Sequence, residues 1–245
     1  DDVTSGLMAV LHETGHALYS AGLPKAWRRQ PVGEARSMAV HESQSLLVEM
    51  QVCRSLAFER LLAPLLQDAY GLPGHPALTP ETLWRRATRV GRGLIRVDAD
   101  EVSYPLHIIL RTRLERALIG GTLDVACLPE AWNEGMRELL GIVPPDDAKG
   151  CLQDIHWPTG AFGYFPCYTL GALMAAQLAE AIRTALPGLD RQIETGTFEP
   201  LLEWLRTNIH QQGCRYPTDE LLERATGREL AAEPFLAHLE HRYLS

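Results

Sequence analysis

The feature that most constrains this chain is a pair of histidines four positions apart, His12-Glu13-Thr14-Gly15-His16, inside the segment Met8-Ala9-Val10-Leu11-His12-Glu13-Thr14-Gly15-His16-Ala17-Leu18-Tyr19. At about 3.6 residues per turn, positions four apart stack on one face of a helix, so both imidazoles can reach a single metal ion. Glu13 then stands beside that ion, where a carboxylate can take a proton from an attacking water and hand it to a leaving amine. H-E-x-x-H on a helix is a pattern of zinc hydrolases. So short a pattern also arises by chance, but here Leu7, Val10, Leu11 and Leu18, with small residues between them, make the helix largely apolar. Polar groups on a helix that seeks burial need partners, and a divalent ion satisfies all three.

A catalytic zinc site takes three protein ligands and leaves a position for water, so a third ligand must exist. The next acidic residues are Glu34, Glu42 and Glu49. Glu34 lies in a Pro/Gly/Arg-bearing loop from Pro24 to Arg36, where a ligand is harder to hold rigid. Glu42 lies early in a long helical pattern, Ser37 to Tyr70, and a helix–loop–helix hairpin could return it to the metal helix. Glu49 falls on the same face two turns later. Glu42 is therefore the leading candidate, with Glu34 and Glu49 as alternatives, and His41 is expected to point elsewhere.

Further segments in order carry a resemblance: His41-Glu42-Ser43-Gln44, Ile95-Arg96-Val97-Asp98-Ala99-Asp100 and Gly150-Cys151-Leu152-Gln153-Asp154-Ile155-His156-Trp157. With the metal helix they resemble, in the same order, the H-E-x-x-H, H-E-S-x, I-R-x-x-A-D and G-x-x-Q-D-x-H-W motifs of the carboxypeptidase Taq family of thermostable metallocarboxypeptidases. The stretches Asp100–Ile108 and Gly160–Gly171 are also similar to family segments, and the likeness spans essentially the whole chain. It implies a metal-dependent carboxypeptidase that releases C-terminal amino acids from peptides, with one Zn²⁺ or Co²⁺ per chain on His12, His16 and Glu42, Glu13 as general base, and a homodimer. An exopeptidase must recognise a free carboxylate, which a guanidinium does with two parallel hydrogen bonds. Arg96, in a motif associated with substrate binding, is the first candidate and Arg111 the second; an ordinary ion pair with Asp98, Asp100 or Glu115 is the alternative for each. The oxyanion formed in hydrolysis needs a donor, and by similarity His156, Tyr164 and Tyr168 are where such donors come from.

Two family motifs expected ahead of the metal helix, H-P-F and D-x-R-x-T, are absent, and the chain begins at Asp1 without methionine. Residues 1–245 are thus expected to be a single catalytic, metal-binding region, the C-terminal half of a longer peptidase. A half-length chain should expose apolar faces, associate, and turn over little peptide. A catalytically impaired metal-binding remnant and an endo-acting oligopeptidase are the alternative functions.

Composition fits this picture. With 245 residues, 46% of them apolar, the chain can bury a sizeable core. A formal charge of −8 argues against nucleic acid as a partner. Arg85, Arg86, Arg89, Arg92 and Arg96 read as a solvated helix face. No run of apolar residues is long enough for a membrane span, and five scattered cysteines suit a reducing cytoplasm. Periodicity makes the fold mainly α, a helical metallopeptidase cleft. After the metal helix and the Ser37–Tyr70 helix, kinked at Pro64, Thr79 and Pro80 open a further helix. Alternating Ile95, Val97 and Ala99, then Val102 and Tyr104, predict a small β element over 94–104. Helices are expected again at 106–119, 129–140, 169–185, 199–210, 218–225 and 234–243.

Overall fold

The computed structural model describes residues 3–244, without the Val3 side chain; the lead-in Asp1-Asp2 lies outside the described residues. Eleven α-helices are described: α1 (Val3–Gly22), α2 (Met38–Leu46), α3 (Leu56–Tyr70), α4 (Pro80–Ala87), α5 (Tyr104–Ile119), α6 (Leu128–Leu140), α7 (Pro166–Ala185), α8 (Leu189–Glu194), α9 (Glu199–Asn208), α10 (Thr218–Thr226) and α11 (Glu233–Tyr243). No strand occurs among the described residues. None of the described helices is long and apolar enough to cross a membrane. The chain divides into two compact units, one from Asp1–Thr88 with Leu170–Ser245 and the other from Arg89–Thr169.

In the first unit α1 packs along α2 and the turn that follows it. The approach is close because Gly15 faces α2: a Cβ there would lie 2.5 Å from Ser45 Cα and 2.7 Å from the Gln44 carbonyl oxygen. Two more glycines permit similar contacts. A Cβ on Gly171 of α7 would lie 2.8 Å from Glu42 Cβ and Cγ, and one on Gly22 would collide with the buried ring of His210.

The single helix expected from Ser37 to Tyr70 is broken. Ser37 caps α2 by accepting from the Val40 N–H, and α2 then widens into a π-helical stretch, Leu47–Cys53. That stretch closes with the Arg54 N–H on the Glu49 carbonyl, five residues back, at 3.0 Å. Ser55 starts α3 afresh by capping the Phe58 N–H. π turns gather at functional sites, and this one carries Glu49, which bonds His12 of α1, with Arg54 at its end bonding Glu49. Helix α3 runs on through Pro64 to Gly71, whose φ of +63° ends it in the left-handed conformation. Thr79 and Pro80 open α4 as the sequence predicts.

In the second unit α5 and α6 enclose a core of Leu110, Leu114, Trp132, Met136, Leu140 and Cys151. The β element expected over 94–104 does not form; a 3₁₀ turn, Arg96–Asp98, takes its place. Alternation misleads here because the pattern turns inside out: Arg96 is 5% exposed and Val97 is 69% exposed. A charged partner within, Asp154, draws the guanidinium in and leaves the valine outside. Asp100 then accepts from the Val102 and Ser103 N–H groups and leads the chain into α5. Glu115 of α5 ties down a glycine-bearing loop, accepting from Trp157 Nε1 at 2.7 Å and from the Gly163 N–H at 2.5 Å.

The α1–α2 contact yields a stability test. An alanine at Gly15 meets backbone that cannot rotate away, so Gly15→Ala should cost at least about 2 kcal/mol and lower Tm by at least about 4 °C in a chain this size. Gly6, on the same helix with nothing within 4 Å of a Cβ, should gain up to about 1 kcal/mol on Gly6→Ala. Thermal unfolding of the two variants beside wild type checks this; a Gly15→Ala chain melting with wild type would contradict the contact.

Candidate metal centre

His12 and His16 sit one turn apart on α1, and Glu42 comes from α2, buried at 7% exposure. One donor atom from each lies within 4.8 Å of the others. His12 Nε2 is 3.7 Å from Glu42 Oε1, and His16 Nε2 is 3.7 Å from Glu42 Oε2. These separations are too long for hydrogen bonds. They approach the roughly 3.4 Å that separates two ligands of one tetrahedral ion at bond lengths of about 2.0–2.2 Å. Two imidazole nitrogens and one carboxylate oxygen are the donors of a three-ligand catalytic zinc site, so the residues fit the ion that the motif implies.

The outer nitrogens of both rings are engaged as well. His12 Nδ1 meets Glu49 Oε2 at 2.9 Å, and Arg54 holds the other Glu49 oxygen at 2.7 Å while donating to the Ala87 carbonyl. Glu49, an alternative third ligand in the sequence, therefore stands behind His12 and orients it. Glu34 is exposed after the 3₁₀ turn Pro31–Gly33 and is no part of the cluster. His41 departs from expectation, since its Nδ1 lies 2.6 Å from His16 Nδ1. Glu13 is exposed on α1 beside the two histidines.

Charge within the cluster is uneven. Burial works against a charged His12, yet its hydrogen bond to Glu49 and the charge of Glu42 hold its pKa above the usual histidine value. Burial, then the neighbouring His12 and His41, lowers that of His16. Burial would raise Glu49, but its bonds to His12 and Arg54 hold it below the ordinary carboxylate value.

The second unit gathers the remaining predicted residues around Asp154. Arg96 donates from Nε and Nη2 to Asp154 Oδ1, at 2.9 and 2.7 Å, and from Nη1 to the Tyr104 hydroxyl at 2.6 Å. Arg111 donates to Asp154 Oδ2 at 2.5 Å, to Gln153 Oε1 at 2.8 Å and to the His107 carbonyl at 2.9 Å. The partner of both arginines is thus Asp154, not Asp98, Asp100 or Glu115. Arg111 has no exposed surface and lies on the Trp132 ring, which leaves it no face for a substrate. His156 Nε2 meets the Tyr168 hydroxyl at 2.9 Å, and its ring lies 5.4 Å from that of Tyr164. Gln153 and Asp154 were not singled out in the sequence, although they are the Q-D pair of the fourth motif, the signal that could have found them.

Comparison with known proteins identifies the family. The model of the carboxypeptidase Taq (M32) metallopeptidase family matches residues 1–243. Thermostable carboxypeptidase 1 of Thermus thermophilus is 45% identical over 243 residues, covering 99% of this chain and 47% of that protein. Carboxypeptidase 1 of Bacillus subtilis is 36% identical over 242 residues, covering 99% of this chain and 48% of that protein. Metallocarboxypeptidase 1 of Trypanosoma cruzi superposes with a TM-score of 0.94 at 46% identity, covering 98% of this chain and 50% of that one. The chain spans about half the length of these relatives. It belongs to the carboxypeptidase Taq (M32) metallopeptidase family.

Proposed function

We propose that this chain carries the metal centre of a carboxypeptidase that hydrolyses the C-terminal peptide bond of peptides. The observation that supports it most is the convergence of His12, His16 and Glu42 within 4.8 Å, in a metallopeptidase family. His12, His16 and Glu42 would hold one Zn²⁺ or Co²⁺, and a bound divalent ion supplies Lewis acidity toward the carbonyl and the attacking water. Glu13, exposed on α1 next to His12, takes the proton of the water and delivers it to the departing amine nitrogen. Tyr164 or Tyr168, with His156 oriented by the Tyr168 hydroxyl, donates to the developing oxyanion.

Arg96 is the anchor for the terminal carboxylate. Three of its five N–H groups are given to Asp154 and Tyr104, and 7% of its side chain stays exposed, whereas Arg111 is fully enclosed. The proposed substrate is accordingly a peptide with a free C-terminal carboxylate; the family resemblance is what supports a cytoplasmic homodimer. An endo-acting oligopeptidase would share the metal chemistry and lack this recognition.

Glu13→Gln should leave zinc affinity within about threefold of wild type and lower hydrolysis by about 10²–10⁴-fold, since it removes a base and no ligand. Because the chain spans about half of its relatives, release of free amino acids is followed for the chain alone and for the chain mixed with the remaining half of the Thermus thermophilus protein. Turnover only in the mixture identifies this chain as a metal-binding half; near-normal turnover by Glu13→Gln there would refute the assigned role.

Arg96→Ala should lower kcat/KM at least about 100-fold for a peptide with a free carboxyl end, and about threefold at most for its amidated twin. Equal losses on both substrates would mean that Arg96 only balances the charge of Asp154.

A further inference from the structure

Both histidines of the metal centre use their outer nitrogen, but on different partners. His12 has a carboxylate behind it, Glu49, the common arrangement for a metal-bound imidazole. Behind His16 stands a second imidazole, with Nδ1 of His16 and Nδ1 of His41 only 2.6 Å apart. Two ring nitrogens at that distance must share a single proton, because two protons would collide and none would leave two lone pairs opposed.

We propose that His41 is a positioning residue of the metal centre, accepting the Nδ1–H of His16 and so fixing the tautomer in which His16 Nε2 offers its lone pair to the ion. The inference rests on the reading of His12, His16 and Glu42 as ligands. If His16 binds through Nε2, its proton is on Nδ1; His41 must then be bare at Nδ1 and carry its own proton on Nε2. One hydrogen bond thereby sets both rings.

The surroundings hold His41 in place for this task. Its backbone N–H bonds the Ser37 carbonyl in the first turn of α2 at 2.8 Å. Its ring packs at 5.0 Å, edge to face, on Tyr19, which is fully buried and accepts the Arg36 N–H at its hydroxyl. His41 and Glu42 are consecutive, and helix geometry sends their side chains about 100° apart. His16 consequently meets both, Glu42 on the Nε2 side and His41 on Nδ1. A neutral acceptor enriches an imidazole less than a carboxylate does, so His12 is the stronger donor of the pair and His16 the weaker. The main chain of His41 also bears on the His16 ring, as the smallest of the influences on its protonation. A side-chain substitution at His41 leaves that main-chain influence intact.

Zinc affinity of the whole chain, measured by competition with a chromophoric chelator, tests the proposal through His41→Leu and His41→Asn; asparagine places an oxygen where Nδ1 stood. His41→Leu should bind zinc about 10–100-fold more weakly, with a changed visible spectrum for the Co²⁺ form, and His41→Asn should stay within about threefold of wild type. Wild-type affinity in His41→Leu would overturn the proposal by showing that the main chain suffices, and so would an Asn variant as weak as the Leu variant. Nitrogen-15 NMR of the zinc-loaded wild-type chain decides the matter even if a variant does not fold: a proton on His16 Nδ1 and His41 Nε2 supports the proposal, and a proton on His41 Nδ1 overturns it. His12→Ala run alongside separates the two readings. If it binds zinc like wild type, the metal centre itself is wrong and the inference falls with it; if it loses zinc while His41→Leu does not, the inference alone fails.

Discussion

The closeness of α1 to α2 governs the proposed metal centre, because two imidazoles on one helix and a carboxylate on another can share an ion only if their backbones come within a few ångströms of the right separation. Gly15, between the two histidines, lets α1 rest directly on the backbone of Gln44 and Ser45. Gly171 does the same for the other flank, where a Cβ would displace Glu42 itself. Side chains of ordinary size at these contacts would push the donors apart by more than metal bonds tolerate. Two residues with no chemistry of their own thus decide whether chemistry is possible, and the motif's central glycine is a packing requirement as much as the histidines are a ligand requirement.

Around that contact, polar side chains are fixed by partners that are themselves fixed. Arg54 bonds the end of α4 and Glu49 together, Glu49 bonds His12, and the π-helical turn brings Glu49 and Arg54 to bear on one ring. In the second unit Asp154 plays the corresponding part for Arg96 and Arg111. Removing such a hub strands its charged partners in a buried setting, which costs far more than the loss of a surface ion pair. Each unit therefore presents a polar cluster held by several hydrogen bonds.

Much of this was legible in the residues. Spacing by four places His12 and His16 on one face without tertiary information, and the caps at Thr79 and Pro80 are local signals that the structure repeats. Glu42 emerges as the converging carboxylate because a ligand on the next helix is the shortest return to the first. Features set by tertiary partners were not legible. Arg96 reads as the polar member of an alternating strand until Asp154, far along the chain, draws it inside and turns the segment into a 3₁₀ turn. The break between α2 and α3 has no proline or glycine to announce it; hydrogen bonds across a π turn and the Ser55 cap produce it. Glu49 and Glu42 share a helical face in sequence, and only the position of the His12 ring between them tells the carboxylate on its Nε2 side, Glu42, from the one on its Nδ1 side, Glu49.

The central claim is that His12, His16 and Glu42 hold one divalent ion, and zinc K-edge X-ray absorption of the chain loaded with one equivalent of zinc tests it most directly. The account predicts a first shell of nitrogen and oxygen at about 2.0–2.2 Å containing two imidazoles, falling to one imidazole in His16→Ala. A shell containing sulfur at about 2.3 Å, or an unchanged imidazole count in His16→Ala, would contradict it.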